Sequence, residues 1–456
     1  MFTIERDTEI TTDVVIKYIK RHRRLIPRYD KLNGYYVGLH EITRRVKGKN
    51  LSNNRVVCNH AKYITDTSVG YLIGNPVGYK GTNNANIDVI QDWMRLADAD
   101  TQDMDVAKDA SIFGIACELV YMSSDKNPTP KLTCFDPRNA FVVYDDTVEH
   151  KPVFGVYYYP RYDENDQISE YACMWFTDHN QVSFKMTNGF AFAGEAAQKA
   201  NPFGEVPLIE YYNNEECQGD FEQVISLIDA YNILQSDRVN DKQQFVEAIL
   251  LIKGQILGDD EKEESEAYQR LKEHGLLMLD RDSSAEWLTR TFDENSVEVL
   301  RRALEQDIHK FSGVPCMSDE NFAGNASGVA MKYKLLGFEQ ITKIKERYFR
   351  EGLKARLRLF ANIMASKGMG KIDIDDITIA FSRNLPSNEV ELAQVASTLQ
   401  GIVPDEILLS ILPFVENVED AIEKLKQQKE DAIKNQQGMF GMTQNTPLED
   451  QEDETE

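Results

Sequence analysis

The stretch "SDENFAGNASGVAMKYKLLGFEQ", Ser318 to Gln340, is where chemistry is first to be sought. Its glycines, asparagines and serines run straight into a long helical pattern. Free backbone N–H groups at a helix start, together with the helix dipole, make a ready anion site. A nucleotide loop would need GxxxxGK[ST], its Lys reaching the β- and γ-phosphates and its hydroxyl holding Mg²⁺. Here Gly324 and Gly328 stand four apart and Val329 follows the second, so that reading fails. "GNASG" also misses the GxSxG nucleophile elbow, because Ser327 directly precedes the second glycine and no strand leads in. "DIDDIT", Asp373 to Thr378, offers carboxylates. An EF-hand loop, however, needs Gly at its sixth position and Glu at its twelfth, where this chain has Thr378 and Asn384. The histidines form no HExxH and the cysteines, at 58, 117, 134, 173, 217 and 316, form no CxxC. The sequence therefore carries no catalytic constellation, and the expectation is a protein that is not an enzyme and uses no cofactor or metal.

Charge bounds the partners. Fifty-one Lys and Arg against 75 Asp and Glu leave a formal net charge of −24. Surfaces that grip duplex DNA are rich in Lys and Arg, because these displace condensed counterions. A repressor or nuclease is thereby disfavoured. One run goes against the trend: "KYIKRHRR", Lys17 to Arg24, which can touch phosphate or form a solvated helix face. Scattered thiols and an N-terminus charged from its fifth residue suit a reduced, intracellular chain. No apolar run reaches the roughly 18 residues that a membrane span needs.

These residues must be positioned by elements that the pattern also suggests. Helix is expected over 8–50, from Val57 to Ile73 with "GNP" (Gly74 to Pro76) as its stop, and from Asn86 to Phe113. From Ala116 to about Glu216, short β-branched and aromatic runs separated by turn residues read as a β-rich domain. Helix returns at Asp220 to Ala248. An insertion follows, with strands expected at "AILLIKGQIL", "LLMLD" and "AEWLTR" and a charged helix between the first two. In Asp293 to Gly313 the residues Val297, Leu300, Leu304, Ile308 and Phe311 form one helical face, with Glu298 and Arg302 paired at i, i+4. After the glycine loop a helix is expected from Val329 to Ser366, then a strand ended by Pro386. Helices are expected at Glu389 to Leu399 and Asp405 to Lys434, before the acidic tail "TPLEDQEDETE".

Four of these stretches carry a family signature: "NNRVVCNHAKYITDTSVGYLIGNPV", "SLIDAYNILQSDRVNDKQQFVEAILLIKG", "SDENFAGNASGVAMKYKL" and "FSRNLPSNEVELAQVASTLQGIVPDEILLSILPFV". In that order, from about Asn53 to Val415, the chain resembles the SPP1-like portal proteins of tailed bacteriophages, with the first fifty residues and the tail after Gln436 outside the resemblance. The resemblance implies an α+β portal fold: long stem and wing helices, a β-rich wing, a small α/β clip and a helical crown, assembled as a ring, typically of twelve subunits. It places a wing at 1–219, stem helices at 220–248 and 293–313, a clip at 249–292, a tunnel loop at 314–328, the long wing helix and strand at 329–388, a crown at 389–436 and a disordered acidic tail at 437–456.

The function so implied is a channel for double-stranded DNA at the capsid vertex, serving genome packaging, retention and ejection. Implied partners are other copies of the chain, the terminase large subunit, a head–tail adaptor, scaffolding protein and the major capsid protein, with no membrane. The location is the virion, after synthesis in the host bacterial cytoplasm. The tunnel loop would offer Ser318, Asn321, Phe322, Gly324, Asn325, Ser327 and Gly328 to the duplex, with Lys332 and Lys334 as the nearest cations. Asp229, Ser236, Asp237, Asn240 and Glu305 are expected on the stem's lumen wall. An acidic wall suits a conduit, since repulsion screened over roughly 8 Å keeps the duplex from adhering. The rival readings are a ring-forming virion or injection-device component without a DNA channel, and a metal-dependent DNA enzyme.

Overall fold

The computed structural model describes residues 1–48, 52–82, 87–246, 249–253, 269, 284–288, 294–317, 333–383, 389–410, 422 and 424. They belong to two compact units, one of residues 1–324 and 333–384, the other of 325–332 and 385–456.

The first unit is built on two sheets that share a layer of apolar side chains. A six-stranded sheet has the order β1 (Phe2–Ile4), β5 (Ala140–Asp145), β6 (Pro152–Tyr162), β7 (Ile168–Phe176), β8 (Asn180–Thr187), β9 (Phe192–Ala200). β1 joins β5 in parallel and the remaining pairs are antiparallel. A three-stranded antiparallel sheet has the order β10 (Leu208–Tyr212), β3 (Ile115–Met122), β4 (Pro130–Phe135). β5 is buried throughout, and its alternation explains why. Phe141 and Val143 face a core capped by helix α1 (Thr12–His22), while Ala140, Val142 and Tyr144 face the small sheet through Leu119 and Leu208. A strand covered on both faces reads as an unbroken apolar run.

The other side of the small sheet is covered by helices α3 (His60–Ile73), α4 (Asp88–Leu96) and α5 (Ala99–Phe113) and by the long helix Leu336–Ser366, here α8. Helix α2 (Ile26–Tyr36) packs beside α3 and α5. Gly352 of α8 lets the helix sit against Tyr211, since a Cβ there would lie 2.3 Å from the ring. Arg356 of α8 is fully buried. It bonds Glu118 of β3 at 2.7 and 2.9 Å and pairs with Asp103 of α5 at 2.6 Å, while Tyr211 donates to Glu118 at 2.8 Å. A buried cation is tolerable only with such partners. β2 (Gly78–Gly81) pairs antiparallel with β13 (Ile377–Ala380).

From the small sheet the chain enters α6 (Ile225–Val246), followed by β11 (Ile249–Lys253), which pairs antiparallel with β12 (Ser284–Leu288). It returns along α7 (Glu294–Ser312), antiparallel to α6. Arg238 meets Glu298 at 3.1 Å, Arg301 donates to the Tyr231 hydroxyl at 3.2 Å, and Lys242 pairs with Glu294. The expected i, i+4 pair of Glu298 and Arg302 is present at 3.1 Å. Together with Arg301 it holds the Glu298 carboxyl down at about 2. In the second unit α9 (Glu389–Leu399) and α10 (Asp405–Ser410) are described, the former with the expected limits.

Several expectations need correcting. The helix expected over 8–50 is two helices and a short turn, followed by an extended arm. The helix expected over 86–113 breaks at Asp98, whose φ of 54° is left-handed. β1, β2 and β9 were not foreseen. The "LLMLD" strand, all but one residue of the charged helix before it, residues 329–332, Pro386 and almost all of the chain after Ser410 lie outside the described residues.

Candidate functional site

The polar residues of α6 are held by an arm from the N-terminal part of the chain. Residues 45–47 and 54–58 lie along α6. The Asn240 side-chain oxygen accepts the Asn54 main-chain N–H at 2.8 Å and its side-chain amide at 2.9 Å. Ser236 Oγ accepts the Val56 N–H at 3.0 Å, and Asn232 Oδ1 accepts the Cys58 N–H at 2.8 Å. The pitch explains the fit. Four helical residues rise about 6 Å, and two extended residues advance about 6.6 Å. Side chains at 232, 236 and 240 therefore meet every second N–H of an antiparallel extended arm.

The same face is tied down on either side. His40 Nε2–H donates to Tyr35 O at 2.9 Å, which leaves Nδ1 to accept from the Asn232 amide at 2.8 Å. Tyr35 donates its hydroxyl to Asp229 at 2.8 Å; burial first, then this carboxylate, raise the Tyr35 pKa. Arg45 and Lys47 pair with Asp237 at 2.7 and 2.8 Å. Burial alone would raise the Asp237 carboxyl, but bonds from Lys47, Arg45 and Asn240 outweigh it and lower its pKa.

Ser236 and Asn240, both expected on the lumen wall, are buried within the chain, at 0% and 2% exposure. Asp229 and Asp237 are half-buried, the former bonded by Tyr35 of α2 and the latter by Arg45 and Lys47 of the arm. Glu305 lies apart from them on α7, half-buried and bonded by Arg301 at 2.6 Å. Of the expected loop residues, Ser318, Asn321, Phe322, Gly324, Asn325, Ser327, Gly328 and Lys332 lie outside the described residues. Lys334 is described and exposed.

The approach to that loop is firmly built. Gly313 ends α7 with φ of 71° against Ile341 of α8. His309 Nδ1–H donates to Val314 O at 2.9 Å. The Tyr63 hydroxyl donates to Pro315 O at 3.2 Å and accepts the Met317 N–H at 2.8 Å. His60, from the start of α3, stands edge-on to Tyr231 at 4.8 Å and to His309 at 5.8 Å. Burial, then the neighbouring His309, pull the His60 pKa down to about 4. The backbone of 314–317 is thus clamped to α3 where it leaves α7. Sequence reasoning missed Tyr63 and the Asn54–Cys58 arm as functional elements; only the Asn at position 59, an N-cap to α3, gave a local signal.

Among the described residues no three His, Cys, Asp or Glu side chains gather to hold a metal ion, and no described helix is long and apolar enough to cross a membrane.

Residues 16–435 match the family described as phage portal protein, SPP1 Gp6-like, and the chain belongs to that family. The match begins well inside the first fifty residues, which the resemblance had left out. The portal protein of Bacillus phage SPP1 is 24% identical over 396 residues, covering 83% of this chain and 76% of the relative. The portal protein of Clostridium phage phiCD119 is 24% identical over 399 residues, covering 82% and 84%. The chain is a phage portal protein, a structural component of the virion.

Proposed function

We propose that copies of this chain, typically twelve, close into a ring around an axial channel for double-stranded DNA at the capsid vertex. The ring serves packaging, retention and ejection of the genome. The observation that carries this is the antiparallel α6–α7 pair. Arg238, Lys242 and Arg301 of the pair meet Glu298, Glu294 and Glu305 within the chain, while Ile233, Val239, Val299, Leu300 and Phe311 stay 38–68% exposed on the pair's surface. Apolar residues so exposed on two helices suit burial against neighbouring copies. The two-stranded element at 249–253 and 284–288 fits the clip, whose roughly 44 residues are too few to bury a core alone. In this ring 1–219 and 329–388 form the wing, 389–436 the crown, and 314–328 the tunnel loop. Its Ser318, Asn321, Asn325 and Ser327 give weak phosphate contacts, with Lys332 and Lys334 following in sequence as the nearest basic candidates and Glu305 on the stem's lumen wall.

The chain offers no nucleotide motif, so ATP hydrolysis falls to a terminase large subunit docked on the ring. A head–tail adaptor, scaffolding protein and the major capsid protein complete its neighbours. Electron microscopy of the purified protein tests the reading. A ring with an axial hole of duplex width supports it; monomers at every salt concentration, a closed centre or a bore lined by Lys and Arg overturn it.

A further inference from the structure

We propose that the exposed basic face of α1 docks the phosphate backbone of duplex DNA by a contact that needs no threading of the duplex through a channel. The inference rests on the portal reading. Between Val14 and Lys31 the chain carries seven Lys and Arg and one Asp, in a protein of net charge −24. α1 buries Val15, Ile16, Tyr18 and Ile19 against the six-stranded sheet, and Lys17, Lys20, Arg21, Arg23 and Arg24 are all exposed. Lys17, Lys20, Arg21 and Arg24 recur at i, i+3, i+4 and i+7. The turn after the helix keeps the Arg24 N–H on Arg21 O at 3.2 Å. Four cations therefore form one stripe about 10 Å long.

Among the described residues no carboxylate pairs with them. The ion pairs next to this face, Arg28 with Glu222 and Arg138 with Asp30, use other cations. Among the described residues none of the five exposed cations has an acidic partner. The helix dipole favours cations in its last turn, which accounts for Lys20 and Arg21. It does not account for Lys17, more than a turn earlier, or for Arg24 beyond the end. Two guanidinium groups are also held in place. Arg23 lies 3.9 Å from the centre of the Phe190 ring and Arg21 5.0 Å from that of Tyr18. Stacking of this kind leaves the guanidinium edge free for phosphate and reduces the freedom lost on binding.

The geometry favours duplex DNA over an acidic polypeptide. The duplex carries one negative charge per about 1.7 Å of axis on a stiff lattice. An extended acidic peptide carries at most one per about 3.3 Å and must be ordered on binding. Repulsion from the rest of this acidic chain confines the contact to the stripe. The contact is consequently weak, reversible and salt-sensitive, as suits a surface past which a genome moves.

The test uses the full chain and relaxed, covalently closed circular duplex DNA, which cannot thread a closed ring. Four neutralised phosphates give a slope of about −3.6 in log K against log salt, a loss of about 150-fold between 50 and 200 mM. The variant Lys17→Gln, Lys20→Gln, Arg24→Gln, altered only at exposed positions, should fold and assemble as the parent does and lose about three-quarters of that slope. The proposal is overturned if the parent ignores closed circles at 50 mM salt, or if the variant keeps the slope. It is also overturned if polyglutamate of matched charge displaces the protein as well as linear duplex does. Microscopy of the same samples separates this from the ring reading: absence of rings strikes the assembly and leaves the comparison of parent and variant to be read.

Discussion

The Asn240 side-chain oxygen receives two hydrogen bonds from a residue 186 positions earlier, the main-chain and side-chain amides of Asn54. With Ser236 on Val56 and Asn232 on Cys58, it makes α6 the docking rail for an extended arm. Helix α6, which leads into β11, is thereby joined to the segment that precedes α3.

Asn240→Ala is expected to lower stability by about 1–2 kcal/mol, since the Asn54 N–H loses its acceptor in a part-buried site. Urea unfolding at fixed protein concentration measures this. Amide exchange at 54, 56 and 58 should quicken in step. An unchanged midpoint with unchanged exchange would show that the arm is not held by these bonds.

Arg356→Met leaves Glu118 buried without its cation and is expected to cost about 3–5 kcal/mol. Adding Glu118→Leu should recover a large part of that loss, because two apolar groups need no partner. A double-mutant cycle reads the coupling, and simple additivity would refute it. Asp103 and Tyr211, which share the cluster, are left unchanged in the cycle.

His22 is buried between α1 and the large sheet, accepting from the Tyr158 hydroxyl at 2.9 Å while its Nε2–H donates to Pro137 O at 2.9 Å. Burial lowers its pKa to about 4, despite the opposing bond to Pro137. Between about 4 and the ordinary 6.5 the unfolded chain binds the proton that the folded chain refuses. The His22 contribution is therefore complete above pH 6.5 and lost as pH falls towards 4, up to about 3 kcal/mol. Asp103 and Asp109, raised mainly by burial to about 6 and about 7, slope the opposite way. The measurement is accordingly a difference: stability of the parent minus that of His22→Phe, from pH 7 to pH 4. A difference that does not change across that range would contradict the assignment.

Gly114→Ala should be among the most damaging single changes in the first unit. Its φ is 84°, and an added Cβ would stand 2.0 Å from the Cys217 carbonyl oxygen, a backbone atom that cannot swing aside. Strain of this kind costs about 1–3 kcal/mol from the backbone conformation alone. Thermal unfolding within 1 °C of the parent would exclude the close approach.

Much of the element pattern was legible because it is local. The extent of α7, the Gly74 stop and the limits of α9 follow from periodicity and breakers within one or two turns of chain. β9 was not, since "FAGEAAQKA" is Ala-rich, nearly wholly exposed and patterned for neither face of a sheet. Nor was the Asp98 break, where a residue other than glycine takes a left-handed conformation that composition does not announce.

Sequence by itself established the family, the acidity and the helical and β-rich segments, all of which depend on neighbours in the chain. It could not say which way the polar side of α6 would face. Asn232, Ser236 and Asn240 look like a wetted stripe until an arm from 174 to 186 residues away brings unpaired N–H groups at matching pitch. Only the tertiary structure decides that, because a buried hydrogen bond requires both partners to arrive, and the sequence around either one is silent about the other.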